Sequence, residues 1–179
     1  GGCFDGGLVG YNDEGTISNC YVASSTVSGD LEVGGLVGYN TGTISNCYVS
    51  SSTVSGSGNV GGLVGYNNSV TVSNCCVSSS TIISSGANVG GLVGYHNSGT
   101  ISNCYVSSST VSGTGVGGGL VGYHYSGTIS NCFACGYMKV NDSDPGALVG
   151  NVDVGGSVTN CYYWEAGYKQ DETIEDWTD

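Results

Sequence analysis

Arginine is absent from the 179 residues, and the only cations are Lys139 and Lys169, set against 14 carboxylates for a formal net charge of −12. A chain so short of positive charge cannot neutralise a phosphate backbone, which excludes nucleic acid as a partner. Charge of either sign is missing from the whole stretch between Val33 and Met138. Sugar-cleaving β-folds need two carboxylates across the scissile bond, and cations where the sugar is acidic; that stretch has neither. The reading is of a protein that is not an enzyme and carries no cofactor. Long apolar runs are missing too: none approaches the ~18 residues of a membrane-crossing helix, so membrane insertion is not expected. No basic-then-apolar leader stands at Gly1, and the expectation is a soluble segment, processed or cut from something longer. Apolar residues nowhere keep helical spacing for ten positions, which excludes helix ahead of the tail.

What is present is repetition. A Leu-Val-Gly core recurs at Leu8, Leu36, Leu63, Leu92, Leu120 and Leu148, and an Asn-Cys pair recurs at Cys20, Cys47, Cys75, Cys104, Cys132 and Cys161. Successive copies are 27 to 29 residues apart, a period that belongs to solenoids rather than globules. The 34 glycines return at fixed offsets beside Leu, Val and Ile, so they mark corners of a regular path and not a flexible tract. Within a copy, short groups such as Leu36-Val37, Ile44, Val49 and Val54 are separated by Gly, Asn and Ser clusters, a pattern of strands and turns.

The fold expected is all-β: a parallel β-helix of about six coils of 27 to 29 residues, with about three short strands per coil and a C-terminal capping segment. Residues 1–163 form the array and residues 164–179 an acidic, aromatic cap or tail. In-register stacking turns each repeated position into a column. Three apolar columns follow: the six leucines; Ile17, Ile44, Val72, Ile101, Ile129 and Val158; and Val27, Val54, Ile82, Val111 and Val140. Asn19, Asn46, Asn74, Asn103, Asn131 and Asn160 are expected at a corner near Ser18 and Asn19, their amides hydrogen-bonding along the stack.

Six of the nine cysteines share one column. One-layer spacing suits a disulfide between neighbours such as Cys20 and Cys47, while small buried thiols are equally compatible with the pattern, so both states stay open. Cys3, Cys76 and Cys135 stand outside it, and Cys132-Phe-Ala-Cys135 is a lone CxxC without the second pair a zinc site needs. Cys104 is the fourth copy of a structural position, not a placed nucleophile. No metal is assigned. The candidates are Asp13, Glu14, Asp30 and Glu32, early acids that could gather calcium, and His96 with His124, two imidazoles one layer apart. The acids otherwise read as a charged end that repels other sheets, and the histidines as solvated corner residues.

The outward columns supply the candidate binding faces. Tyr11, Tyr39, Tyr66, Tyr95 and Tyr123 form one aromatic column; Tyr21, Tyr48, Tyr105, Phe133 and Tyr162 form another, interrupted by Cys76. They suit carbohydrate or protein binding, or else pack and stack on one another. Thr16 with Ser18, Thr43 with Ser45, Thr71 with Ser73, Thr100 with Ser102 and Thr128 with Ser130 flank the inward Ile or Val, giving two parallel hydroxyl rows. Flat Thr rows resemble the faces of ice-binding β-solenoids, although the second row here is serine.

The words "VGGLVGYNTGTISNCYVSS" resemble the GLUG motif, from Gly6 to about Cys161, and "NCYYWEAGYKQDETIEDW" is similar to the segment that closes such arrays. The sixth copy departs, Pro145-Gly-Ala-Leu-Val-Gly-Asn lacking the Tyr. The motif's family runs in tandem through large secreted or surface-anchored bacterial and archaeal proteins, adhesin-like and IgA-peptidase-type among them, outside their catalytic domains. The resemblance implies a secreted or cell-surface, non-enzymatic module that extends or presents an adhesin-like protein, with host or self surface glycan or protein as partner. Ice binding is the first alternative. Head-to-tail assembly into an extracellular filament, through the unpaired strands of open ends, is the second.

Overall fold

The computed structural model of the protein describes residues 3–141 and 145–165. Among these residues every strand pairing is parallel, and each strand meets its own counterpart in the neighbouring copies. The chain is thus a β-solenoid of about six turns whose strands gather into three sheets. Its early coils carry five short strands each where about three were expected, because the chain breaks at corners within the repeat. The first sheet is the narrow stack of Phe4–Gly6, Glu32–Gly34, Asn59–Gly61, Val89–Gly90 and Gly117–Gly118. The other two are bent, so the first three coils cross each of them in two short segments. Val37–Asn40 and Thr43–Ser45 belong to the second sheet, Tyr48–Ser50 and Thr53–Gly56 to the third. Later coils fuse those halves into single strands, Tyr105–Gly113, Val121–Ser130, Phe133–Val140 and Val149–Thr159.

The corners have a residue-level cause. Asn19, Asn46, Asn74, Asn103, Asn131 and Asn160 all take φ between 51° and 56°, and Ser24, Ser51, Ser79 and Ser108 take 49° to 50°. Asn is among the few side chains that accept the left-handed region at small cost, so it is placed where the chain turns from the second sheet into the third. The corner stands where the sequence puts it. The expected amide ladder along it does not form: among the described residues the amide-to-amide bond there is Asn160 Nδ2 donating to Asn131 Oδ1, 3.4 Å. The asparagines at this corner are exposed and serve the backbone turn instead.

Glycine is required where the first sheet folds back against the second. A Cβ on Gly65 would lie 2.6 Å from Val33 N and 2.7 Å from Gly38 O, so the two backbones touch with no side chain between them. Beyond that contact, Leu36, Leu63, Leu92 and Leu120, Ile44, Val72, Ile101 and Ile129, and Val54 and Ile82 are fully buried, as are Val33, Val60 and Val89 of the first sheet. Each such side chain removed from water contributes roughly 1.5–3 kcal/mol. The columns weaken at the ends. Leu8 is 48% exposed, because the first coil has a neighbour on one side only, and Leu148 is half-buried. Val140 is not the fifth rung of its column: the coil from Cys132 is a residue shorter there, the register shifts between Ser107 and Ser109, and Met138 takes the place beside Val111.

Candidate binding faces and the cysteine corner

The hydroxyl rows face outward as the alternation requires. Ile17, Ile44, Val72, Ile101 and Ile129 are buried, while Thr16, Ser18, Thr43 and Thr71 are exposed and Ser45, Ser73, Thr100, Ser102, Thr128 and Ser130 half-exposed. Thr16 lies beside Thr43, and Thr71, Thr100 and Thr128 lie beside one another, one layer apart. This face presents hydroxyls and no charge.

The two aromatic columns differ. Tyr39, Tyr66, Tyr95 and Tyr123 are half-buried and stack ring on ring, with centroids 4.8, 4.9 and 5.1 Å apart and planes within 4° of parallel. Tyr11 and Phe4 tilt onto the exposed end of that stack. A ring covered by its own neighbours offers edges and a hydroxyl, not a face. Burial pushes the Tyr66 hydroxyl up to about 12, and the adjoining Tyr39 and Tyr95 add to the rise. Tyr123 donates to Asp153 Oδ2 at 3.1 Å. The second column is the exposed one. Tyr21 and Tyr48 stack at 5.0 Å, both exposed, as are Tyr105 and Tyr162; Phe133 is half-buried. Cys76 stands in register between Tyr48 and Tyr105, so the aromatic run is interrupted by one rung.

His96 and His124 are not solvated corner residues. Both are fully buried, and they end a polar column that the sequence reading missed. Asn12 Nδ2 donates to Asn40 Oδ1 (2.7 Å), Asn40 Nδ2 to Asn67 Oδ1 (2.8 Å), and Asn67 Nδ2 meets His96 Nδ1 at 3.1 Å, which makes His96 Nδ1 the acceptor and fixes the proton on Nε2. The His96 and His124 rings stack at 5.0 Å. Among the described residues no well-aligned hydrogen bond reaches Nε2 of His96 or either nitrogen of His124, the backbones of Gly99, Gly127 and Ser157 giving only weak contacts. Burial drives His96 down to about 3 and lowers His124 as well. The signal was available: each of these residues follows the repeated Tyr, where Asn and His exchange.

The acids do not converge. Asp13 Oδ1 accepts from Tyr11 (3.3 Å), the Glu14 backbone bonds Thr41, the Asp30 carbonyl accepts from Ser57 and Gly58, and Glu32 Oε2 accepts from Asn59 (2.9 Å). Among the described residues, no three His, Cys, Asp or Glu side chains are grouped to hold a metal ion. The tail acids beyond residue 165, with Asp142 and Asp144, lie outside the described residues.

All nine cysteines are free thiols, and the repeated six do one job. Each follows the left-handed Asn, turns inward and donates to the carbonyl two residues back: Cys47 to Ser45 (3.2 Å), Cys75 to Ser73 (3.1 Å), Cys104 to Ser102 (3.2 Å), Cys132 to Ser130 (3.1 Å). The Sγ also accepts from the preceding coil's backbone, Cys47 N to Cys75 Sγ and Cys75 N to Cys104 Sγ at 3.4 Å. The next corner repeats the arrangement with oxygen. Ser52 and Ser80 follow a left-handed Ser, donate to Ser50 and Ser78 carbonyls at 2.8 Å, and receive Ser25 N and Ser52 N at 3.2 Å. A cysteine here is a corner residue in the manner of serine, with a larger apolar body for the core.

The GLUG motif matches residues 6–28, 29–55 and 85–112. Those segments are coils of this stack, and the same words fill the copies between and after them. The chain is a GLUG-repeat array. No curated protein matches it. Among solved structures it is similar to a proposed immunoglobulin A1 protease from Bacteroides ovatus, with a TM-score of 0.68 and 24% identity over 85% of this chain. The array spans 58% of that protein's length, and the likeness is one of fold. No helix among its described residues is long and apolar enough to cross a membrane.

Proposed function

We propose that the GLUG array is a non-enzymatic module of a secreted or cell-surface protein, one that extends and presents a larger adhesin-like chain and takes up glycan or protein on its exposed aromatic face. The observation carrying this reading is the exposed column of Tyr21, Tyr48, Tyr105 and Tyr162 on a single-file stack of coils, bordered by hydroxyls. Aromatic faces with a polar rim bind sugars and proteins through apolar contact and directed hydrogen bonds. Occurrence of GLUG motifs in extracellular and surface proteins supports the location. Folded protein on a glycan array, beside Tyr48→Ala, Tyr105→Ala and Tyr66→Phe, tests the binding. Loss of signal in the first two and retention in the third is expected; equal signal in all four removes the aromatic face from the reading. Labelling intact cells of the parent organism with an antibody against the array tests the location, and staining only after lysis refutes it.

A second reading is favoured by the outward Thr rows. Thr71, Thr100 and Thr128 stand in register in a row without charge, as an ice-binding face requires. Thermal hysteresis that Thr100→Tyr abolishes supports it; none at millimolar folded protein ends it.

A further inference from the structure

The six corner thiols lie in one line, and that geometry has a combinatorial consequence. Six cysteines in general admit fifteen complete pairings. Here each corner is tied to the next by main-chain bonds: Tyr48 N to Cys20 O, Cys76 N to Cys47 O, Tyr105 N to Cys75 O, Phe133 N to Cys104 O and Tyr162 N to Cys132 O, all 3.0–3.1 Å. Consecutive Cα atoms are therefore about 4.8 Å apart, the spacing of neighbouring strands. That lies inside the roughly 4.4–6.8 Å a disulfide accepts, whereas a bond skipping one rung would have to span about twice as far. Only neighbours can pair, and a row of six has one way to pair every member with a neighbour. We propose that the cysteine column is an oxidisable set whose complete product is fixed in advance: Cys20 with Cys47, Cys75 with Cys104, and Cys132 with Cys161.

The route follows from burial. Cys20 and Cys161, at the two ends, are half-exposed, while Cys47, Cys75, Cys104 and Cys132 are buried. A low-molecular-weight disulfide RSSR therefore enters at an end. The Cys20 thiolate attacks one sulfur of RSSR, forming the mixed disulfide and releasing one RS⁻. Cys47, losing its proton to water, attacks the Cys20 sulfur and expels the second RS⁻, so two cysteine thiols become one disulfide and RSSR becomes two RSH. Cys75 can then attack Cys47 and release Cys20 as a thiol, and Cys104 can attack Cys75 and release Cys47. Attacking, central and leaving sulfurs are three consecutive members of a straight column, which is the in-line arrangement thiol–disulfide exchange needs. The bond so reaches the buried middle pair, and a second RSSR closes Cys20 with Cys47 behind it. The opposite end reacts in the same way.

The test uses Cys3→Ser, Cys76→Tyr and Cys135→Ser, which leave only the column; the last two restore the residue other coils carry there. An aromatic residue then follows every corner cysteine, so chymotrypsin separates all six onto different peptides. The folded protein is held with excess glutathione disulfide, quenched in acid, unfolded, alkylated, digested and weighed. Expected are a mass lower by one hydrogen per corner cysteine, no alkylated corner peptide, and the three cross-linked pairs named above. A link that skips a rung, or six corner thiols still open to alkylation, overturns the proposal. Cys75→Ser, which keeps the corner hydrogen bond as Ser80 does, checks the counting rule independently. It should retain Cys20–Cys47 and leave one thiol, on Cys104 or Cys161, because Cys132 can take only one of them; a Cys47–Cys104 link would refute linear pairing.

Discussion

Replacing both buried imidazoles, His96→Asn with His124→Asn, should make the array markedly less sensitive to acid. The folded His96 is held at about 3 against an ordinary 6.5, first by burial and then by His124 beside it, with the Gly99 backbone pulling weakly the other way. His124 is lowered by burial, opposed by the Ser157 and Gly127 backbone. A depressed folded value means that the unfolded chain binds the extra proton between pH 6.5 and 3. The stability is therefore complete above about pH 6.5 and is lost as pH falls through that window. Each unit is worth about 1.4 kcal/mol, so His96 alone contributes on the order of 5 kcal/mol of acid destabilisation by pH 3, and His124 adds to it with the same sign. That is comparable with the whole stability of a typical domain, about 5–15 kcal/mol. The Asn pair removes the titration and extends a column that already runs through Asn12, Asn40 and Asn67. Urea unfolding followed by circular dichroism at pH 7, 5 and 4 measures the effect. If the double variant lost stability as steeply as the native chain between pH 7 and 4, the imidazoles would not be the acid-sensitive groups.

Asn74→Gly should leave the melting temperature nearly unchanged while Asn74→Val costs about 1–2 kcal/mol, because φ at this corner is 54° and a β-branched side chain resists it; equal loss in both would show that the side chain, not the turn, matters. Leu92→Ala should cost about 2–5 kcal/mol, against less than about 0.5 for the exposed Leu8→Ala, measured by the same urea titration. Glu32→Gln should raise the melting temperature at pH 7, since burial holds this carboxyl above its usual range and the stability it gives is lost as pH rises past 4.5; a lower melting point would contradict that sign. Thr43→Asp, Thr71→Asp and Thr100→Asp together should lose about 2 kcal/mol more than the three singles summed, two neighbouring charge pairs about 4.8 Å apart each costing roughly 0.9 kcal/mol in water and the outer pair about half that. High salt should shrink the excess, and strict additivity would refute it.

Period was the legible part of this protein. Copies of 27 to 29 residues specify parallel stacking, and from stacking follow the leucine and isoleucine columns, the outward Thr rows and the corner at Asn19. What periodicity does not encode is where a coil bends sharply enough to reverse local alternation. Asn40 and His96 follow a half-exposed Tyr that looks like the last outward residue of its strand, yet they are buried. The glycine contact that folds the first sheet against the second is also invisible as a pattern, since it depends on missing side chains meeting across the coil. Val140 leaves its column for a simpler reason: equal spacing places it beside Val111, but the coil from Cys132 is one residue short beside Ser107 and Ser109, so Met138 stands there. The cysteine column was visible from the start. Its meaning was not, because nothing in the spelling of Asn-Cys announces that the thiol does at one corner what Ser52 and Ser80 do at the next.

Stacking of identical coils also accounts for the missing charge. In a globule a lysine can be placed beside a glutamate; here a residue's neighbour above and below is its own copy about 4.8 Å away, so each column must tolerate itself. A charge fails that requirement at every layer. Asparagine satisfies it, donating to one copy while accepting from another, as Asn12, Asn40 and Asn67 do, and as Asn88 and Asn59 do before ending on the Glu32 carboxylate. Tyrosine satisfies it by stacking, cysteine and serine by taking the preceding coil's N–H. Carboxylates then belong where the column stops repeating. Asp5 pairs with Val33, Asp13 and Glu14 lie in the first coil, and Asp30 and Glu32 open the second. The run from Val33 to Met138 can do without charge because each residue there faces a copy of itself above and below, and the cysteine column meets the same requirement.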